Sequence, residues 1–134
     1  MPQFRFSEAV RLLGVSDDTV RRWVDAGLLA AGVDAAGRKA VEGAELARFA
    51  KAQAVDIVDP SDVGRSARNQ FVGLVTEVVS DKVMAQVELQ SGPHRVVSLM
   101  SSEAVRELGL APGVLAVAVV KSTHVVVEIP GGRS

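Results

Sequence analysis

The stretch SARNQFVGLVTEVVS, residues 66–80, is where the chain changes its character. Before it, apolar residues recur at spacings of three and four. From Phe71 onward they are β-branched and crowd into short runs. A switch from the helical period to the strand pattern inside one chain predicts two small domains rather than one. The polar residues Ser66, Arg68 and Asn69 stand directly ahead of the first apolar run. Taken alone, they read as loop material and ordinary strand-end charge, with Asn69 a turn residue bonding its own backbone.

Working outward toward the C-terminus, Asp81-Lys82 offers a turn after FVGLVTEVVS, and VMAQVEL then alternates. QSGPH, residues 90–94, is a second turn, and RVVSLM a third strand. Ser101-Ser102-Glu103 starts a short helix that Gly109 stops, and Pro112-Gly113 makes another turn. VLAVAVVK and VVVEI complete five short strands and one helix. A flat sheet of such strands leaves its edges open, so the expected form is a small five-stranded OB-like β-barrel.

Working outward toward the N-terminus, residues 55–65, VDIVDPSDVGR, read as a linker, because Pro60 and Gly64 break any period. Ahead of it lie helices. Ser7 is a candidate N-cap for Glu8–Leu13, and Gly14 follows as a stop. Ser16 caps a second helix from Asp17 to Ala26, closed by Gly27, with two aspartates at the positive end of its dipole. Val20, Trp23 and Val24 share one face. Only Gly14, Val15 and the cap separate the two helices, which is a helix–turn–helix connection. LLAAGVDAAGRKAV can form a hairpin, and Leu46, Phe49 and Ala50 mark a third helix. The expected class is therefore α+β, with domains at 1–54 and 66–130.

Bulk composition narrows the function. The 134 residues carry a formal net charge of −1, so any nucleic-acid contact has to come from a local patch. There is no cysteine, which removes disulfides, thiolate metal sites and a cysteine nucleophile, and fits a reducing cytoplasm. The N-terminus lacks the pattern of a signal peptide, and no apolar run approaches the ~18 residues of a membrane span. No serine–histidine–aspartate order, phosphate loop or paired carboxylate context suggests an enzyme. His94 and His124 are isolated and read as incidental, so no metal cation site is expected.

Two resemblances sharpen this reading. FSEAVRLLGVSDDTVRRWVDAGLL is similar to the winged helix–turn–helix of the MerR and excisionase-like families. The likeness rests on Leu13-Gly14-Val15-Ser16, Thr19–Trp23 and Gly27-Leu28-Leu29. It implies DNA contacts from Ser16, Thr19, Arg21 and Arg22, with Arg38 and Lys39 at the wing. Without it, Arg21 and Arg22 are a solvated face balanced by Asp17, Asp18 and Asp25. Residues 66–129 resemble a Mop-type TOBE domain, the molbindin fold, through SARNQFVGLVTEV, SSEAVRELGLAPG and AVVKSTHVVVEI. That resemblance implies a site for molybdate or tungstate at subunit interfaces.

Molybdate is a tetrahedral dianion that offers only acceptors, so its site needs N–H and O–H donors and positive charge without a carboxylate. Arg68 supplies a forked donor, Lys121 a point charge, and Ser66 and Ser122 hydroxyls. Backbone N–H groups near Ala67 and Thr123 add to these. Ser98 is matched to a hydroxyl donated by a partner subunit. The expected protein is a cytoplasmic, molybdate-responsive DNA-binding regulator. It would work as a dimer or larger oligomer, up to a hexamer, on a two-fold DNA site. The alternative is molybdate storage, with the helical half used for assembly.

Overall fold

The computed structural model describes residues 2–55, 57–61 and 63–131. Of the expected linker, positions 56 and 62 lie outside the described residues. The chain packs as two units, Met1–Asp56 and Ile57–Ser134.

The N-terminal unit opens with a strand that the sequence pattern does not reveal. β1 (Gln3–Arg5) runs straight into α1 (Phe6–Leu13), so Arg5 rather than Ser7 occupies the N-cap position. The Arg5 backbone N–H donates to the Glu8 carboxylate at 3.1 Å. Gly14 ends α1 in the left-handed conformation, φ 68°, and its N–H returns to the Val10 carbonyl. α2 (Asp17–Asp25) starts on Ser16, whose hydroxyl accepts from the Thr19 N–H at 3.2 Å.

The hairpin is β2 (Gly32–Val33) and β3 (Lys39–Glu42), and β3 also pairs with β1, giving the order β1-β3-β2. α3 (Gly43–Gln53) follows directly. Ala9, Val20, Leu29, Val41, Leu46 and Phe49 form the core, and Trp23 tilts against Phe49 with ring centroids 4.9 Å apart. Leu29 reaches this core from the loop after α2, and the others from their helices and from β3, which is how three short helices and a three-stranded sheet reach a common interior.

In the C-terminal unit, an ion pair ties Arg65 back to Asp59 ahead of the sheet. Arg65 donates to the Asp59 carboxylate at 2.6 Å and to the Ser61 hydroxyl at 2.9 Å. The sheet is built around β4 (Asn69–Ser80), which is twelve residues long. β5 (Met84–Ser91) and β6 (His94–Ser101) follow as antiparallel neighbours. α4 (Ser102–Leu108) is capped by Ser101, whose hydroxyl accepts from the Ala104 N–H, and β7 (Leu115–Val120) returns along β4. The order is β6-β5-β4-β7.

β4 changes partner midway. Its first half, Asn69–Leu74, pairs with β7; from Leu74 onward it pairs with β5, with a register shift between Val75 and Glu77. That change curls the sheet around a core of Val75, Ala85, Val87, Leu89 and Val105. Gly73 sits at the switch. A Cβ placed there would stand 2.2 Å from the Gln90 carbonyl oxygen, well inside contact distance. The two buried hydroxyls are both satisfied: Ser91 donates to the Val72 carbonyl and Ser102 to the Asp81 carbonyl.

The expected fifth strand is corrected. Residues 125–129 join no ladder of the four-stranded sheet; they are exposed after a 3-10 turn at Ser122–His124. Their β-branched composition is that of a strand, but strand propensity provides no hydrogen-bonding neighbour. Among the described residues, no helix is long and apolar enough to cross a membrane.

Two outcomes follow from this packing. Gly73→Ala forces backbone against backbone and is expected to destabilise the C-terminal unit by about 1–3 kcal/mol, read from denaturant midpoints. The Asp34 carboxyl lies below its ordinary value of 3.8, chiefly because the Arg38 backbone N–H bonds it, with Ala36 adding a second. A depressed carboxylate stabilises the fold above its unfolded pKa, and that contribution is lost as pH falls through the folded value. Trp23, the sole tryptophan, lies in this unit and reports its unfolding. Stability read at Trp23 is expected to fall below about pH 4, more gently in Asp34→Asn, with the two proteins converging at the lowest pH.

Candidate oxyanion and DNA-binding sites

Pairing of β4 with β7 brings two distant stretches of sequence together. Asn69, the first residue of β4, is registered against Val120, the last of β7. The loop ending in Ser66-Ala67-Arg68 and the turn starting at Lys121-Ser122 therefore leave the sheet at the same end. Asn69 makes the join tighter: its side-chain N–H donates to the Val120 carbonyl at 3.2 Å. It is a strand residue clasping two strands, not the turn residue its composition suggests.

The donor set at this end is exposed. Ser66, Arg68, Lys121 and Ser122 are open to solvent and Ala67 is partly covered. Among the described residues, neither Arg68 nor Lys121 has an ion-pair partner. The 3-10 turn after Lys121 aims its opening N–H groups, those of Ser122 and Thr123, away from any partner within the turn, since its bonds begin with His124 to the Lys121 carbonyl. Two cations, two hydroxyls and free backbone donors make a surface for an oxyanion, with no carboxylate in the contributing stretches 66–68 and 121–123.

Ser98 is elsewhere. It pairs with Val87 in the middle of β6, and Val87 pairs with Val78, nine residues along β4 from Asn69. On the same face as Val96 and Met100, it borders the hollow of the curled sheet. One chain does not bring it to the Arg68–Lys121 end. His94 stands edge-on to Phe71, two residues along β4 from Asn69, with ring centroids 6.5 Å apart. Among the described residues, no group of three or more histidines, carboxylates or thiols is placed to hold a metal ion.

In the N-terminal unit the expected DNA contacts fall into two sets. Ser16, Thr19 and Arg22 form one hydrogen-bonded cluster at the start of α2: Ser16 and Thr19 hydroxyls are 2.7 Å apart, and Arg22 donates to Thr19 at 3.3 Å. The Ser16 hydroxyl also caps the helix, so it is structurally engaged. Arg21 pairs with Asp17 at 3.0 Å, and Arg38 with Asp34 at 3.2 Å. Arg21 and Arg38 remain more than half exposed within these pairs. Lys39 is exposed at the start of β3. With Val20 fully buried and Trp23 against Phe49, α2 presents its arginines to solvent. Asp34, which organises the hairpin turn by accepting from the Ala36 and Arg38 N–H groups, was not singled out by motif reading. Its place in a tight turn before Gly37 was the available signal.

Comparison with known proteins matches this division. Residues 65–127 match the TOBE domain family, and residues 4–54 the helix-turn-helix domain family. Molybdenum-pterin-binding protein 2 of Clostridium pasteurianum is 41% identical over 63 residues, spanning 46% of this chain and 93% of that protein. Molybdenum-pterin-binding protein 3 of the same organism is 40% identical over the same shares. Among solved structures, a molybdate-binding protein from Sporomusa ovata aligns at 30% identity and a TM-score of 0.48, covering 50% of this chain and all of that one. The chain thus belongs to the molybdenum-pterin-binding (Mop) type of TOBE proteins, its TOBE domain joined to an N-terminal helix-turn-helix domain.

Proposed function

We propose that this protein is a molybdate-responsive, DNA-binding transcriptional regulator that works in the cytoplasm as a homo-oligomer. Residues 1–54 read DNA, 55–65 link, and 66–130 bind the oxyanion. The observation that carries this reading is the register of Asn69 against Val120, which sets Arg68 and Lys121 at one end of the β4–β7 pair, in a Mop-type domain fused to a DNA-reader fold. The relatives' names refer to molybdenum-pterin or molybdate binding, which supports the ligand class.

The chemistry is electrostatic and non-covalent. Arg68 offers a fork of N–H donors to two oxygens of the dianion, and Lys121 a compact charge to a third. Ser66 and Ser122 hydroxyls and the Ala67 and Thr123 N–H groups complete the shell. Tungstate has the same charge and shape and binds the same donors. Ser98 enters only if a second copy brings it to this end. On DNA, Arg22 and Lys39 contact phosphates directly, while Arg21 and Arg38 exchange Asp17 and Asp34 for phosphate. That exchange is inexpensive, because exposed ion pairs contribute about 0–1 kcal/mol. Regulation requires molybdate to favour one of two arrangements by differential affinity.

A second reading, molybdate storage with the helical unit serving assembly, draws on one observation. Residues 1–60 carry eight Lys and Arg against nine Asp and Glu, a net charge of −1, so nonspecific attraction to DNA is weak.

Titration calorimetry with molybdate, tungstate and sulfate tests the ligand. Molybdate and tungstate are expected to bind and sulfate to bind weakly. Arg68→Ala and Lys121→Ala should each weaken binding roughly 10- to 100-fold, the loss of a charge-assisted contact of about 1.5–3 kcal/mol. Unchanged affinity in both variants rejects the site. Operator affinity at fixed salt, measured with and without molybdate, separates the two readings: equality removes the regulator and leaves storage.

A further inference from the structure

Just ahead of the donor stretch Ser66–Arg68 stands a set of polar contacts that the oxyanion reading does not use. The Asp59 carboxylate is engaged on both oxygens. One accepts from the Ser61 N–H at 2.8 Å and from the Ser61 hydroxyl at 2.5 Å, and the other accepts from Arg65 at 2.6 Å. The second terminal nitrogen of Arg65 donates to the Ser61 hydroxyl at 2.9 Å. Asp59, Ser61 and Arg65 thus form a closed ring of hydrogen bonds, each member supporting the other two. The ring is also covered. The Arg65 side chain is 16% and that of Asp59 20% exposed, whereas the cations of the other five ion pairs among the described residues are 52–64% exposed. The Ser61 hydroxyl, followed by Arg65, holds the Asp59 carboxyl down at about 2, so the pair stays ionised far below neutral pH.

Ser66, Ala67 and Arg68 lie between two anchors. On one side, Asn69 is registered against Val120 and bonded to its carbonyl. On the other, Arg65 is held by the ring. Among the described residues, no backbone hydrogen bond holds the three residues themselves. A short donor stretch fixed at both ends samples few conformations, and any backbone freedom it regains has to be lost again when an anion binds. The two arginines differ accordingly. Both terminal nitrogens of Arg65 are engaged and its charge is balanced by Asp59, whereas Arg68 has no ion-pair partner among the described residues. Arg65 opens the stretch matched to the TOBE family, and Asp59 and Ser61 lie before it, past the helix-turn-helix match. The ring therefore belongs to the joint between the two matched domains.

We propose that Arg65 is a positioning residue of the oxyanion site: by closing the ring with Asp59 and Ser61 it fixes the chain from which Ser66, Ala67 and Arg68 are presented, without touching the anion. The proposal rests on the oxyanion reading of Arg68 and Lys121. It has a consequence opposite to simple electrostatics. Asp59→Asn removes a negative charge and releases the Arg65 cation, which by charge alone strengthens the binding of a dianion. Loss of the ring weakens it. The sign of the change separates a positioning residue from a source of charge.

Molybdate titration calorimetry at neutral pH on the full-length wild type, Asp59→Asn, Arg65→Gln and the double variant D59N/R65Q, with Arg68→Ala as reference, provides the test. Asp59→Asn and Arg65→Gln are each expected to raise Kd roughly 5- to 30-fold, the equilibrium factor for ordering about one backbone residue. The double variant should lose no more than either single change, because the ring is already open in each. Arg65→Lys keeps the charge pair but not the fork, and should recover part of the loss. Ser61→Ala, the mildest change, leaves the ion pair in place and should weaken binding in the same direction by less. Strand content by circular dichroism is expected to persist in every variant. Affinity in Asp59→Asn equal to or tighter than that of the wild type overturns the proposal, and so do losses that add in the double variant. Where Arg68→Ala weakens binding but Asp59→Asn and Arg65→Gln match the wild type, the oxyanion reading stands and this proposal alone fails. A wild type that binds no molybdate removes both.

Discussion

The close approach of Gly73 to the Gln90 carbonyl is the constraint on which the C-terminal unit depends. A strand of twelve residues does not stay flat, and β4 resolves this by pairing with β7 first and β5 afterwards. The crossover needs backbone to lie against backbone, and any side chain at position 73 would occupy the Gln90 oxygen. Everything functional in this half follows from that choice. Because the first half of β4 belongs to β7, Ser66–Arg68 and Lys121–Ser122 leave the sheet together. Had β4 paired with β5 along its full length, the two cations would have ended on unrelated edges.

Cations in the two units are used differently. On α2 and the hairpin, Arg21 and Arg38 are held by aspartates four residues away, which fixes their stems in place. Such pairs are weak in water, so they orient the guanidinium groups without removing them from use. At the β4–β7 end, Arg68 and Lys121 have no carboxylate partner among the described residues. The first arrangement suits repeated phosphates along a polymer, and the second suits one small dianion that has to replace water rather than a neighbour.

Legibility in the sequence followed the range of the interactions. Ser16 as a cap, Gly14 as a stop and the buried face of Val20, Trp23 and Val24 are local, so periodicity and capping rules reach them. β1 is three residues, QFR, with no alternation to notice, and it exists because β3 offers it an edge. Its presence moves the N-cap of α1 from Ser7 to Arg5. That Arg68 and Lys121 leave the sheet at one end spans more than fifty residues and was legible only through family likeness; the register of Asn69 against Val120 is what places them there. Asn69's bond to the Val120 carbonyl was not legible, since nothing local distinguishes it from a turn asparagine. VVVEI has the composition of a strand, but a strand is defined by its neighbour, and this segment lies outside the four-strand ladder.

The open sheet and the exposed anion surface are two sides of one physical problem. A unit charge opposite another at about 4 Å in bulk water gains only about 1 kcal/mol, against about 4 kcal/mol near a partly shielded surface. Arg68 and Lys121 on a single chain stand in the first regime, where water competes for every donor. Excluding water from that end would move the same residues toward the second regime without changing a single contact.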